Sequence, residues 1–225
     1  MSEIYLYDEI VSEKYTDWGG NEHGIAPSDI ADVLHQAENG ETVDVFVNSP
    51  GGSVFAAVAM ASEIKRAIQR GVTVNAYVDG IAASAASFLI MACSSVNMYE
   101  GTMLMVHKPM SFCWGNADDM MKTAEDLESI QEGTCMPAYR SKLKGDEEEL
   151  KALIAKESWI PAKQAAEMFN ITICEERKDA KDSLDPNVIA KFGYRNVPEQ
   201  LIKREKPEEA PAIDYSEYEQ RISKL

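Results

Sequence analysis

The feature that most constrains the fold is an alternation of strand and helix patterns between residues 43 and 89. Val43–Val47 is an apolar run of strand length, and Ser53 to about Arg70 carries apolar residues at helical spacing. Val72–Val78 has strand character again, and the small residues that follow it predict another helix. Strands and helices that alternate in this way are typical of right-handed βαβ units. The sequence therefore predicts an α/β fold with a mainly parallel sheet.

Length and composition limit the architecture and the class of partner. The 225 residues suffice for one domain with a full core, and 45% of them are hydrophobic. Because no apolar run is long enough to cross a bilayer and the N-terminus lacks a signal-peptide pattern, we expect a cytoplasmic protein with no membrane partner. Four widely spaced cysteines fit that compartment. A formal net charge of −16 argues against nucleic acid, since phosphate binding needs clustered Lys and Arg.

Two segments stand apart from this pattern. From residue 198 onward the sequence is rich in Pro, Glu and Lys, which is typical of a solvated tail. We therefore expect a folded domain over residues 1–197 and an acidic tail over residues 198–225 that is partly disordered or forms a short helix. Earlier in the chain, about 116–143 predicts a long amphipathic helix, which serves either as an assembly surface or as part of the core.

Three features carry groups that nucleophilic hydrolysis needs. Ser84 lies at a helix start, where free backbone N–H groups and the positive end of the helix dipole suit a developing oxyanion. His107 directly follows a strand pattern, and Gly51–Gly52 forms the turn between the first strand and its helix. Each has a plainer interpretation, as a buried polar residue or a simple turn. Together they gain weight, because all three lie at strand ends or helix starts of one sheet.

Other kinds of site find little support in the sequence. There is no phosphate-binding loop with a Gly-Lys-Ser/Thr ending, and no His-Glu-x-x-His motif. Three scattered histidines argue against a metal site. We therefore expect neither a metal nor a cofactor.

In order and spacing, three motifs resemble the Clp protease proteolytic subunit family of ClpP-like serine peptidases, over about residues 4–175. The motifs are Asn48-Ser-Pro-Gly-Gly52, Gly80-Ile-Ala-Ala-Ser84 and Met105-Val-His107-Lys-Pro109. The resemblance implies that Ser84 is the nucleophile and His107 the base. It also implies an oxyanion hole formed by the N–H groups of Gly52 and Ala85, with Gly51 and Gly52 binding the substrate backbone.

The third member of the implied triad departs from the family pattern. The family places an acid, usually Asp, two residues before an aromatic residue, and here that position holds Glu157, before Trp159. Glutamate can orient a histidine, although its extra methylene moves the carboxylate by ~1.5 Å unless the backbone compensates. The plainer interpretation of Glu157 is a helix cap or a surface acid.

The resemblance also implies an architecture and a setting. The fold would be a crotonase/ClpP-like spiral of ββα units, with helix 116–143 protruding to join stacked homo-oligomeric rings. The partners would be protein or peptide substrates, together with either a capsid or scaffold protein or an AAA+ unfoldase, and the sequence leaves the need for an unfoldase open. The Glu157-Ser-Trp159 motif looks more like the phage- and prophage-borne branch, including head maturation proteases, which cleave capsid or scaffold proteins in the prohead.

Two further interpretations stay open. Crotonase-like acyl-CoA enzymes share this fold and an oxyanion hole of two backbone N–H groups, but need no Ser/His/acid set. A catalytically silent protein that keeps the fold would serve in assembly, and the glutamate at position 157 is the feature that favours it.

Overall fold

A computed structural model describes residues 2–175, 189 and 191–202, and its centre is a mainly parallel sheet. The strands are β1 (Ser2–Leu6), β2 (Tyr15–Thr16), β3 (Glu22–His23), β4 (Thr42–Ser49), β5 (Thr73–Ala83), β6 (Ser95–Tyr99), β7 (Met103–Val106), β8 (Ser158–Pro161) and β9 (Thr172–Cys174). The helices are α1 (Pro27–Gln36), α2 (Val54–Gln69), α3 (Ala85–Leu89), α4 (Ala117–Ile130), α5 (Met136–Arg140), α6 (Glu147–Lys156), α7 (Ala162–Met168) and α8 (Glu199–Ile202). A 3₁₀ turn (Ile90–Ala92) follows α3, and a π-helical turn (Gln131–Cys135) joins α4 to α5.

In the described part of the chain, seven strands form one sheet around β5. Strands β1, β4, β5, β6 and β9 lie side by side in that order, and each pair is parallel. Strand β5 serves two neighbours, because 75–78 pairs with β6 and 81–83 pairs with β7. Strand β8 adds to β7 in the antiparallel direction. The α/β prediction is confirmed, with a single antiparallel pair among the described strands of this sheet.

Helix α2 forms where its sequence pattern predicts it. The Ser53 side chain accepts a hydrogen bond from the Ala56 N–H at 3.3 Å, which satisfies one of the free donors of the first turn. The apolar face then buries residues at helical spacing, among them Met60 and Ile64. Gly71 ends the helix in the left-handed region, with φ of +89°. This helix packs on the sheet and fixes the position of the turn that precedes it.

The two faces of β5 and β7 contact two different apolar clusters. Ala82 and Leu104 belong to the main core, whereas their neighbours Ala83 and Met105 face a second cluster on the other side of the sheet. The C-terminal segment 189–201 covers this second face, with buried Ile189 and Tyr194 and partly buried Phe192, Val197 and Leu201. Leu201 lies in the short helix α8, inside the part of the chain expected to be a tail, and the division between residues 197 and 198 stays a prediction. The rest of the expected tail, 203–225, lies outside the described residues.

Several element boundaries differ from the sequence predictions. Strand β5 continues through Gly80 to Ala83 instead of ending at Val78, because β7 offers its second half a partner. The segment expected to be a turn at 157–161 is strand β8, and the expected loop 8–24 contains the hairpin β2–β3. The helix expected over 116–143 consists of α4, the π-helical turn and α5, ending at Arg140.

The π-helical turn has a local cause. Pro137 has no N–H to donate to the carbonyl of Gly133, four residues earlier, so a regular α-helical bond is missing where α5 begins. Among the described helices, none combines the length and the apolar character that a membrane span requires.

Candidate active site

Ser84 lies at the junction of β5 and α3 with an unusual backbone conformation. Its φ of +52° and ψ of −120° lie outside the regions that a residue with a Cβ ordinarily adopts. Its N–H donates to the Met105 carbonyl at 2.9 Å, and fully buried alanines flank it on both sides, Ala83 and Ala85. The surrounding structure therefore maintains a strained residue, as is common at functional sites. Ser84 caps α3 rather than lying in its first turn, which corrects the position predicted from the sequence.

His107 reaches Ser84 because of the strand pairing. Strand β7 runs parallel to the end of β5, and His107 is the residue that follows β7. Its Nε2 lies 2.6 Å from Ser84 Oγ, within hydrogen-bond distance. Burial lowers the pKa of the half-buried imidazole, and the negative charge of Glu157 opposes that shift. The ring is therefore neutral near pH 7 and able to accept a proton.

Two free backbone N–H groups lie beside Ser84. The Ile10 N–H donates to the Gly51 carbonyl at 2.7 Å, and the Ile10 carbonyl accepts from the Ser53 N–H at 2.8 Å. The Gly52 N–H takes part in neither of these two bonds. Within the described residues, neither the Gly52 N–H nor the Ala85 N–H has a hydrogen-bond acceptor. The sequence predicted these two donors, and the structure leaves both available for a developing oxyanion.

The turn before α2 lies in close contact with Ser84. A Cβ placed on Gly51 would lie 2.8 Å from the Ser84 Cβ and 2.9 Å from the Ala85 nitrogen. One placed on Gly52 would lie 2.1 Å from the Ile10 carbonyl oxygen. Only glycine permits this approach, and both residues also have positive φ.

Glu157 is close to His107 in space but hydrogen-bonds elsewhere. It ends α6 in the left-handed region, with φ of +55°. Its carboxylate accepts hydrogen bonds from the backbone N–H groups of Arg195 and, at 3.1 Å, Asn196. Asn196 returns two bonds from Nδ2, to the carbonyls of Lys156 at 2.9 Å and Glu157 at 3.1 Å. Among the described residues Glu157 therefore acts on His107 through charge and not through a hydrogen bond, and its role as third triad member stays a prediction.

A cavity of about 580 Å³ opens in front of Ser84 and His107. Most of its wall is apolar, and the few polar groups converge near the serine, as is usual in binding sites for organic molecules. The apolar part comes from α2, α4, the loop after β7 and the C-terminal segment, namely Val54, Phe55, Pro109, Met110, Phe112, Leu127, Ile130, Phe192 and Tyr194.

Sequence reasoning missed Tyr194, which contacts three parts of the site. Its hydroxyl donates to the Pro50 carbonyl at 2.5 Å, and its ring meets His107 edge to face, with centroids 5.4 Å apart and the planes at 77°. It also meets the Trp159 ring edge to face at 6.0 Å. The available signal was weak: two aromatic residues, Phe192 and Tyr194, flank a glycine in an otherwise charged stretch.

Possible metal ligands are scattered over the described part of the chain. Across the ranges that the structure describes, His, Cys, Asp and Glu side chains nowhere gather in a group of three or more suited to a metal ion. The four cysteines are all free.

A strained serine at a strand end, a histidine at hydrogen-bond distance and two free N–H groups define a site of the serine-hydrolase type. Comparison with known proteins gives the family. The Clp protease family model matches residues 22–169, which is more than half of the chain, so the chain belongs to the Clp protease family.

Curated relatives and solved structures agree with this assignment. A Clp protease proteolytic subunit of Bacteroides fragilis, named as ATP-dependent, is 28% identical over 100 residues, or 44% of this chain and 47% of the relative. The match therefore spans about half the length of that relative. Proteolytic subunit 2 of the ATP-dependent Clp protease of Mycolicibacterium paratuberculosis is 26% identical over 168 residues, 72% of this chain and 82% of the relative.

Among solved structures, a point mutant of ClpP1 from Listeria monocytogenes superposes with a TM-score of 0.61 at 20% identity. The superposition covers 78% of this chain and 92% of that one. This likeness shows a ClpP-like fold, as the resemblance in the sequence implied.

Proposed function

We propose that this chain is a serine endopeptidase that cleaves peptide bonds through an acyl-enzyme on Ser84. The observation that carries the proposal is the 2.6 Å contact between Ser84 Oγ and His107 Nε2 at the mouth of an open cavity. Membership of the Clp protease family supports the choice of a peptide over other acyl substrates.

The geometry supports the following reaction. Ser84 Oγ attacks the peptide carbonyl carbon as His107 Nε2 takes the hydroxyl proton. The carbonyl oxygen becomes an oxyanion that accepts hydrogen bonds from the N–H groups of Gly52 and Ala85. The imidazolium then returns its proton to the amide nitrogen, the C–N bond breaks and the amine leaves. Water, deprotonated by His107, attacks the ester and releases the carboxylic acid and free Ser84.

The substrate would bind as an extended strand beside Gly51 and Gly52. Backbone hydrogen bonds to that turn would position the scissile bond, and the apolar wall of the cavity would receive a side chain. No cofactor takes part in these steps.

Glu157 would complete the site by stabilising the imidazolium. Its negative charge already favours the protonated form of His107, although its hydrogen bonds go to the C-terminal segment. The same observation favours one alternative, a catalytically silent ClpP-like assembly protein, because a triad acid that does not bond its histidine is weaker at orienting the ring.

The chain would act as a homo-oligomeric ring, with stacking of rings through α4. In the protomer no residue of α4 is buried, and the exposed fractions of Met120 and Met121 are 53% and 58%. Phe112 and Trp114, in the loop before α4, are 87% and 90% exposed. An apolar band of this kind is rare on monomers and typical of association surfaces.

The setting is a finer part of the proposal. The relatives are named as subunits of an ATP-dependent protease, which suggests an AAA+ unfoldase as partner in a bacterial cytoplasm. The Glu157-Ser-Trp159 motif instead favours the phage and prophage branch, with capsid or scaffold proteins cleaved in the prohead. Cleavage of folded capsid protein without any ATPase would favour the second setting, and a requirement for an unfoldase would favour the first.

A fluorophosphonate probe, which reacts with activated serines, tests the proposal. We expect the full-length wild type to be labelled and to cleave fluorogenic peptides, and Ser84→Ala and His107→Ala to lose both activities by at least ~10³-fold. Ser28→Ala, an exposed serine in the first turn of α1, is the matched control and should behave as wild type. Labelling that persists in Ser84→Ala would contradict the proposal. A folded, assembled wild type that neither labels nor cleaves would favour the silent assembly protein.

A further inference from the structure

The C-terminal segment 191–197 bridges two parts of the active site that are far apart in sequence. At one end, Arg195 and Asn196 hold the Glu157 carboxylate, and Asn196 also bonds the carbonyls of Lys156 and Glu157. At the other end, Tyr194 bonds the Pro50 carbonyl. The bonds at both ends fix the position of Tyr194 between them.

Packing holds Tyr194 as firmly as the hydrogen bonds do. Its side chain is 8% exposed, and its ring stacks on Phe192 with the planes at 18° and the centroids 5.5 Å apart. Ile81, Ala83 and Met105 on the outer face of the sheet complete its surroundings. A tyrosine that is this well packed has little rotamer freedom left and can transmit its position to the groups it contacts.

We propose that Tyr194 is a positioning residue of the active site, acting on the oxyanion turn through Pro50 and on the base through the ring of His107. This inference rests on the proposed function.

The hydroxyl acts on the oxyanion turn. Pro50 directly precedes Gly51 and Gly52, and the bond from the phenol fixes the orientation of the Pro50 carbonyl and so of the next peptide units. Two glycines with positive φ have more backbone freedom than any other pair of residues, so the turn needs such a restraint to aim the Gly52 N–H. Burial raises the pKa of the phenol, and the adjacent Ser84 hydroxyl opposes that rise. The phenol therefore stays protonated and able to donate at every pH at which the enzyme would work.

The ring acts on the base. Its edge-to-face contact covers His107 and contributes to the burial that lowers the pKa of the imidazole. Among the described residues, the other titratable or charged groups around this histidine are the Glu157 carboxylate, the Glu9 and Asp126 carboxylates at the cavity wall and the adjacent Lys108 ammonium. Tyr194 is neutral, whereas these four groups carry charge. A substitution of Tyr194 therefore changes the cover of the His107 ring and leaves the neighbouring charges in place.

Two substitutions separate the hydroxyl from the ring. Tyr194→Phe removes only the hydroxyl, so we expect kcat to fall roughly tenfold with KM within about twofold, since complete loss of an oxyanion donor costs ~10²–10³. The pH dependence of kcat/KM should keep the wild-type pKa. Tyr194→Ala also exposes His107, so its pKa should rise toward the ordinary value and the acid limb should move to higher pH. Tyr5→Phe, which removes a phenol bonded to the surface residue Glu3, is the matched control.

A second readout does not depend on activity. In full-length protein with carbon-13-labelled histidine rings, NMR titration gives the His107 pKa directly, with His107→Gln identifying its signal. Wild-type kcat in Tyr194→Phe, or an unchanged His107 pKa in folded Tyr194→Ala, would overturn the inference. A wild type without peptidase activity would count against the proposed function instead, and the titration would still decide the contact with the ring.

Discussion

The backbone at Ser84, with φ of +52° and ψ of −120°, helps to set the direction of the side chain proposed as nucleophile. A non-glycine residue in this conformation costs on the order of 1–3 kcal/mol. The hydrogen bond from its N–H to the Met105 carbonyl and the packing of the buried alanines on either side offset that cost. Since β7 both accepts this bond and leads into His107, one strand pairing positions the proposed nucleophile and the proposed base together.

The charge of Glu157 has a measurable consequence for pH dependence. Burial lowers the pKa of His107, so the acid limb of kcat/KM should lie below the ordinary histidine pKa of ~6.5. The negative charge of Glu157 favours the imidazolium and holds that pKa up. We therefore expect Glu157→Gln to move the acid limb to still lower pH and to lower kcat at pH 8, where His107 is neutral in both forms. The pH profile of peptide cleavage measures both effects.

Glu100→Gln is the control for that prediction, because Glu100 pairs with Lys163 at the surface and touches no part of the site. Its acid limb should match that of wild type. If the acid limb of Glu157→Gln moves to higher pH, the amide disturbs the burial of His107. The charge of Glu157 would then not be what sets the pKa of His107.

At the scale of elements, the site depends on two connections that pack against each other. The turn between β4 and α2 contains Gly51, and the junction between β5 and α3 contains Ser84. Because they touch without space for a single methyl group, any side chain at position 51 must displace Ser84 or its neighbour Ala85.

Gly51→Ala should therefore abolish activity while much of the fold survives. We expect labelling by fluorophosphonate to fall at least ~10²-fold, as for loss of an oxyanion donor, and the free energy of unfolding to drop by ~2–4 kcal/mol from strain and overpacking. Gly101→Ala is a close control, since its φ of +88° resembles the +93° of Gly51 but no atom lies within 4 Å of the added methyl. Chemical denaturation should show only the ~1 kcal/mol strain in this control. Equal losses in both variants would assign the effect to φ and not to the contact.

The elements also show how far sequence reasoning reaches. Local patterns were enough for α2 and for the strands before and after it, because Ser53, the apolar spacing and Gly71 act within one helix. Local patterns failed where strand pairing decides the structure. Strand β5 continues past Gly80, where β7 and Ser49 of β4 pair with it, and β8 pairs with β7. The contact of Glu157 with Arg195 and Asn196 joins residues far apart in the chain, so no local pattern could indicate it.

At the scale of the whole molecule, charge and apolar surface act in opposite directions. A formal net charge of −16 keeps copies of the chain apart at long range. The exposed apolar side chains of Phe112, Trp114, Met120 and Met121 favour short-range association through α4 and the loop before it. Within the protomer, Leu127 and Ile130 of α4 line the cavity, whereas no residue of α4 is buried and Met120 and Met121 stay exposed, so these two methionines are available for the proposed association.

The double substitution Met120→Gln with Met121→Gln should weaken assembly without unfolding the protomer, because both side chains are exposed in the protomer. Loss of two buried methionines at an interface removes ~2–4 kcal/mol, which weakens association by ~30–1,000-fold and should shift sedimentation profiles toward smaller species at micromolar concentration. Met120→Leu with Met121→Leu keeps the apolar area and should assemble. Trp18→Ser, an exposed aromatic residue in the distant β2–β3 hairpin, should leave assembly unchanged. Wild-type sedimentation of the glutamine variant would show that α4 takes no part in the interface.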